Sequence, residues 1–167
     1  MGTSERFAYL RPATDADESF LFEVFCSTWE EEVAAMPNPA LTRHFLRIQY
    51  TAQNRRFSTR FPGHERHVVL HEGKEAGRFY LHRTPAILHA IDLTLLPEFR
   101  SLGIGTTMVR EAFEEAAERG QTVSLRVARR NQRAAALYDS LGFRLVTMDD
   151  LDCYFEWVPG KTPNPFA

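Results

Sequence analysis

Cysteine is scarce in this chain: Cys26 and Cys153 are the only two among 167 residues, too few for a disulfide scaffold, and both are expected as reduced thiols. No stretch approaches the ~20 apolar residues of a membrane-spanning helix. The opening MGTSERFAYL lacks the basic and then apolar regions of a signal peptide. Gly2 does not begin a myristoylation signal, because Arg6 stands where Ser or Thr is required. An excess of positive charge is missing too. A net charge of −2 and a pI near 6.3 leave no electrostatic footprint for nucleic acid. The six histidines do not form a metal-binding pattern. His64 lies in a Pro-Gly loop three residues before His67, and His67 and His71 span a predicted strand, which does not bring positions i and i+4 together. These absences point to a cytoplasmic protein with no membrane, nucleic-acid or metal partner.

What is present is the profile of one ordinary domain, 44% hydrophobic and 25% charged. Residues 1–158 are expected to form that domain, and the proline-rich 159–167 a loose tail. The chain is organised around Ile91 to Glu118. Ile91 to Leu96 predicts a strand, closed by Pro97, which cannot donate to a ladder. Met108, Val109, Ala112, Phe113, Ala116 and Ala117 then recur at helical spacing, with Arg110, Glu111, Glu114, Glu115 and Glu118 on the opposite face and Gly120 as the stop.

Between strand and helix stand Gly103 and Gly105. Glycines let the backbone approach a ligand, and the unpaired amides at a helix start, aligned with its dipole, favour an anion. Arg100 adds a positive charge suited to phosphate, so the expected guest is a pyrophosphate. A dinucleotide fingerprint would need a third glycine where Met108 stands, and a P-loop would need a lysine, which is absent between Lys74 and Lys161. A glycine-rich turn that merely joins strand to helix remains the bland alternative.

Arg100-Ser101-Leu102-Gly103-Ile104-Gly105 resembles the Gln/Arg-x-x-Gly-x-Gly/Ala signature of the GCN5-related N-acetyltransferases, which cradles the pyrophosphate of acetyl-coenzyme A. Leu93-Thr94-Leu95-Leu96-Pro97-Glu98 is similar to the apolar strand before that signature. Asn131, Ala134, Leu137-Tyr138 and Leu141-Gly142-Phe143 resemble the family's second signature. The likeness covers residues 66 to 157 well, and Ser101 falls on a variable position where many members carry glycine. The resemblance implies acetyl-coenzyme A as co-substrate, with contacts from Leu93, Leu95, Arg100, Ser101, Leu102, Gly103, Ile104, Gly105, Thr106, Asn131, Ala134 and Tyr138. It also places Tyr138 to protonate the departing thiolate, and family analogy allows a homodimer.

The remaining elements fit that fold. A short strand before Pro12 precedes a helix with Phe20, Leu21, Val24, Phe25 and Thr28 as its stripe, in which Cys26 reads as packing. Pro37-Asn38-Pro39 interrupts before a second helix from about Ala40 to Phe57, with Leu41, Phe45, Ile48 and Ala52 as its stripe. The connection carries Glu30, Glu31 and Glu32, either a solvated helix end or an attractor of a cationic amine. Strands His67 to Leu70, Ala76 to Leu81, Thr122 to Val127, Phe143 to Met148 and Cys153 to Trp157, with a helix from Gln132 to Leu141, complete the order β, α, α, β, β, β, α, β, α, β, β. This α/β order predicts a mixed sheet with helices on both faces. The resemblance adds that the sheet splays after its fourth strand.

The implied chemistry is attack by an amine on a thioester. An amine with a pKa near ~10 must first lose a proton, the tetrahedral oxygen then needs a donor, and the thiolate needs a proton. The backbone amide of Leu95 is the candidate donor. Asp92 or His89 is the candidate base, acting directly or through water. The alternative function is a non-catalytic acyl-coenzyme A-binding module of the same fold. The acceptor stays open among a small amine, an antibiotic, a polyamine, a peptide terminus and a lysine side chain.

Overall fold

The computed structural model describes residues 9–161, 165 and 166. Phe7 and Ala8 of the expected first strand, and 162–164 and 167 of the expected tail, lie outside the described residues. Strands β1 (Leu10–Pro12), β2 (Glu65–His71), β3 (Lys74–Arg83), β4 (Ile87–Leu95), β5 (Thr122–Ala128), β6 (Arg144–Met148) and β7 (Asp152–Trp157) form one seven-stranded sheet in the order β1-β2-β3-β4-β5-β7-β6. Its neighbours are antiparallel except β4 and β5, which run parallel because helix α4 (Ile104–Arg119) carries the chain across between them. This is the expected α/β architecture with helices on both faces.

One face is covered by α1 (Glu18–Cys26), the short α2 (Glu30–Val33) and the long α3 (Pro39–Arg60). Leu21, Phe22 and Phe25 of α1 and Leu46, Tyr50 and Phe57 of α3 pack on Val68, Tyr80 and Ile91 of the sheet. The stripe expected for α3 is out of phase: Leu41 and Ile48 are exposed, and the buried line is Leu46, Tyr50 and Phe57. That line carries polar work, since the Tyr50 hydroxyl donates to Glu18 and Gln53 accepts from Arg78. Polar partners as well as apolar contacts therefore set which face of α3 is buried.

The other face is covered by α4 and α5 (Gln132–Ser140), whose Met108, Val109, Phe113 and Tyr138 pack on Phe79, Leu81, Leu88 and Leu125. Phe113 stacks on Trp157 at 3.9 Å, an aromatic pair contributing about 0.5–1.5 kcal/mol beyond its buried area. Glu115, expected on the outer face of α4, is buried because Arg83 donates to both of its oxygens at 2.8 and 3.2 Å. Ala117, expected inward, faces solvent. Beyond the sheet, Phe166 returns to within 5.9 Å of the Phe113 ring, so at this residue the tail is seated on the core. No helix among the described residues is long and apolar enough to cross a membrane.

Candidate active site

The site begins where β4 and β5 part. They pair only from Ile87 with Thr122 to Ala90 with Leu125, yet β4 runs on to Leu95 and β5 to Ala128. At the point of parting β4 also slips against β3: Leu81 pairs with Ala90 and Tyr80 with Asp92, leaving Ile91 as an extra residue. Such a bulge bends its strand and strengthens its twist, which turns the end of β4 away from β5. The sheet is thus splayed after its fourth strand, as the resemblance implied.

The distal half of β4 keeps its bonds to β3 only. Leu96 donates to Ala76 at 2.8 Å, and in an antiparallel ladder the groups of alternate residues face opposite neighbours. Leu93 and Leu95 therefore present their amides to the gap that β5 has left. Gly77 makes the close approach of β3 possible: a Cβ there would lie 2.2 Å from the Thr94 carbonyl oxygen and 2.9 Å from the Leu95 Cα. Sequence reading did not single out Gly77.

Past Leu95, the turn at Pro97–Phe99 delivers the chain to Ser101, held at a positive φ of 62°, and to Gly103 at 82°, which stands at the N-cap of α4. A left-handed residue there aims successive amides at one point ahead of the helix. Among the described residues, no protein group accepts from the amides of Ser101, Leu102, Gly103, Ile104, Gly105 or Thr106. A Cβ built on Gly103 or Gly105 would meet nothing within 4 Å, so the space in front of them is open. Ile104 is buried and anchors the turn, whereas Leu102 is exposed at its rim.

Arg100 departs from the expected arrangement. Its amide donates to Pro97 and its Nε to the Leu95 carbonyl at 3.1 Å, so it braces the turn, and the run of unpaired amides starts one residue later. Arg133 of α5 donates to the Ser101 hydroxyl at 3.1 Å and ties the second signature to the first. Asn131 caps α5 by accepting from Ala134 at 3.1 Å.

Asn131, Ala134 and Tyr138 line one wall of the cleft between the splayed strands, opposite Asp92, Leu93 and Thr94. The Tyr138 ring is buried against Phe143, and burial, with the Asp92 charge behind it, pushes its hydroxyl well above the usual tyrosine range. No hydrogen bond from that hydroxyl to another described residue is formed. Tyr138 is therefore a fully protonated donor facing the gap.

The two expected bases lie three residues apart on β4, about 10 Å at 3.3 Å per residue. Asp92 is buried and accepts from Arg78 Nε and Nη2, each at 3.0 Å, and from the Thr94 hydroxyl at 2.7 Å, with Arg126 Nη1 at 3.8 Å. Burial opposes its ionisation, but the Arg78 and Arg126 charges prevail and hold it below the ordinary aspartate value. That setting makes Asp92 a counter-ion more than a proton acceptor. His89 lies outside the cleft, in the still-paired segment, packed on Phe61 at 5.0 Å and stacked with His82 at 5.9 Å. Burial, aided by His82 and Arg60, pushes it down to about 4. It is neutral at pH 7 but weakly basic.

Three side chains that sequence reading passed over complete this wall: Arg78 and Arg126, both buried, and Gln53 from α3. For Arg126 the signal was present. Arg126 alternates with buried Val123, Leu125 and Val127, and such a face is solvated only if nothing packs on it, which here α3 does. Glu32, from the expected acidic run, pairs with Arg130 at 3.2 Å, while Arg130 lies 4.1 Å over Trp29 and bonds Thr28, so α2 is tied to the β5–α5 loop. Glu30 and Glu31 face solvent. Among the described residues there is no cluster of three metal-ligating side chains.

No curated protein matches the chain. Among solved structures, it resembles a PaiA N-acetyltransferase from Thermoplasma acidophilum in complex with coenzyme A, at 20% identity over 89% of this chain and 97% of that one, with a TM-score of 0.64. An acetyltransferase from Thermus thermophilus shares 18% identity over 89% and 95%, with a TM-score of 0.61. A GNAT acetyltransferase from Elizabethkingia anophelis with acetyl-coenzyme A bound shares 12% over 89% and 96%, with a TM-score of 0.52. Identities this low establish the fold alone. The model of the acetyltransferase (GNAT) family, however, matches residues 22–143, from the first helix through both signatures, and the chain belongs to that family.

Proposed function

We propose that this acetyltransferase moves the acetyl group of acetyl-coenzyme A to a primary amine by direct attack in a ternary complex. The carrying observation is the run of unpaired amides from Ser101 to Thr106, at the positive end of α4 and in front of two open glycines. Such a seat suits a pyrophosphate. Leu93 stands where β5 would have paired and offers its backbone to the pantetheine arm. The Leu95 amide is the proposed donor to the thioester oxygen, and Tyr138 the donor to the leaving sulfur.

The amine must arrive neutral. Asp92 is engaged by two guanidinium groups and His89 is weakly basic, so we assign the proton to solvent in the cleft rather than to either side chain. Arg78 and Arg126 assist, because nearby positive charge disfavours an ammonium ion. A non-catalytic acyl-coenzyme A-binding module would need the amide seat but no proton donor in the gap, and Tyr138 favours the enzyme.

Two substitutions test this. Gly103→Asp places a side chain at a left-handed φ and a negative charge in the anion seat, so acetyl-coenzyme A binding should vanish in calorimetry. Tyr138→Phe should leave that affinity intact and lower kcat by roughly 10²–10⁴-fold in a thiol-release assay. Retained affinity in the first variant would overturn the seat. Unchanged turnover in the second would remove the acid role, and tight coenzyme binding without turnover of any amine would favour the binding module.

A further inference from the structure

A second cavity, of about 320 Å³, opens on the α3 face beside the cleft. That size lies at the lower end of small-molecule pockets, roughly 300–1,000 Å³. Its floor is Ala90, Ile91, Ser124 and Arg126, at the place where β4 and β5 part. Arg126 lines both this cavity and the cleft, so the two spaces meet at its guanidinium.

The walls are aromatic. Phe61 lies 5.8 Å from His82 and 5.0 Å from His89, and Tyr154 closes the far side. No carboxylate is among the lining residues, whereas Arg60 and Arg126 both are. Arg60 sits 4.1 Å over Tyr154 and 5.6 Å from Phe61, and among the described residues it makes no ion pair.

Arg126 is only 9% exposed, and its Nε has no partner. Its remaining nitrogens reach Asp92 at 3.8 Å and Asp152 at 3.3 Å, and those two carboxylates also serve Arg78 and Arg56. The two buried guanidinium groups, Arg78 and Arg126, are matched by the two buried carboxylates, with the exposed Arg56 at the rim, so Arg60 is the cation at this cavity that has no carboxylate partner among the described residues. Burial, with the Arg56 and Arg78 charges, pushes the Arg126 pKa down despite both carboxylates. With Arg60 unpaired and the Arg126 guanidinium in the floor, the cavity offers positive charge with no carboxylate in its lining, and an anion seated here would meet it.

We infer that this cavity receives the body of the acceptor, and that the acceptor is an amine that also carries a carboxylate on an apolar or aromatic frame, as an amino acid does. This rests on the acetyl-transfer reading above. The carboxylate sits between Arg60 and Arg126, the frame packs on Phe61, His82, His89 and Tyr154, and the amine reaches past Arg126 into the cleft. The ring-supported charge of Arg60 has a use in this arrangement. Polyamines are disfavoured by the same field.

The test is calorimetry on the full chain with N-acetylphenylalanine, a product-like anion, and its neutral amide. The acid should bind at least about tenfold tighter than the amide, since only the acid brings a negative charge to the guanidinium groups and hydrogen bonds between charged partners are the stronger ones. Arg60→Gln, at an exposed position, should erase most of that ratio without unfolding the protein, and Arg60→Lys should restore part of it. Acetyl transfer to phenylalanine, phenylalaninamide and spermidine should then rank in that order by kcat/KM. Equal binding of acid and amide, or a ratio untouched by Arg60→Gln, overturns the anion site. If neutral amines or spermidine are acetylated without any preference for the acid, this inference falls and acetyl transfer stands. If the acid binds with the Arg60 dependence but no amine is acetylated, the transfer reading falls and the anion site stands.

Discussion

Asp92 shows how one residue type changes meaning with its surroundings. A carboxylate on the strand beside a thioester suggests a base, but the contacts with Arg78, Arg126 and Thr94 turn it into the ion that makes two buried cations tolerable. Removing its charge by Asp92→Asn should cost roughly 3–5 kcal/mol in urea unfolding, the usual penalty for stranding a buried partner. Its depressed pKa has a definite sign: it stabilises the fold above about 3.8, and that contribution is lost as pH falls below this value. His89 acts at higher pH and in the same direction. Held near 4 in the fold against 6.5 ordinarily, it leaves the unfolded chain binding more protons between those values, so stability falls as pH drops from 6.5 towards 4. His89→Phe keeps a ring against Phe61 and should flatten the decline of Tm between pH 7 and pH 5. A decline as steep as in the unaltered protein would refute the assignment.

At the scale of elements, β4, the turn after it and α4 were legible because their information is local. Apolar runs, a proline and two glycines fall within 28 residues, and each feature acts on its immediate neighbours. The cap of α5 by Asn131 was legible for the same reason. What escaped depends on distant partners. The phase of α3 is set by Glu18 and Arg78, which hold Tyr50 and Gln53, and the burial of Glu115 by Arg83, 32 residues away. Arg78 itself sits between Gly77 and Phe79, where nothing in the strand announces a buried cation. Gly77 escaped because its φ is ordinary and its constraint comes from across the ladder. Gly77→Val would drive its Cβ into the backbone of Thr94 and Leu95, and backbone cannot rotate away as a side chain can. The expected result is a loss of about 1–3 kcal/mol in unfolding free energy. Weaker acetyl-coenzyme A binding should accompany it, because the strand that moves carries Leu93 and Leu95. Unaltered affinity in a destabilised variant would mean that the outer half of β4 takes no part in holding the coenzyme.

For the whole molecule, the sheet is two wings, β1–β4 and β5–β7–β6, joined by the four residue pairs from Ile87–Thr122 to Ala90–Leu125. Each wing carries one side of the proposed coenzyme site: Leu93, Leu95 and the amides of Ser101 to Thr106 follow from β4, and Asn131, Ala134 and Tyr138 follow from β5. A ligand laid between them bridges the parted halves and bonds to groups that are otherwise unpaired, so it stabilises the native state without an equal interaction in the unfolded chain. At a concentration about 100 times its Kd, acetyl-coenzyme A should add about 2.7 kcal/mol. For a domain of this length each kcal/mol is worth roughly 2–4 °C, so Tm should rise by about 5–11 °C. The gain should be local in origin: hydrogen exchange should slow at Leu93, Leu95 and 101–106, while β1 and β2, remote from the gap, change little. Gly103→Asp should abolish both the shift and the protection. A comparable rise in that variant, or protection spread evenly over the sheet, would mean that the coenzyme stabilises the fold from somewhere other than the parted strands.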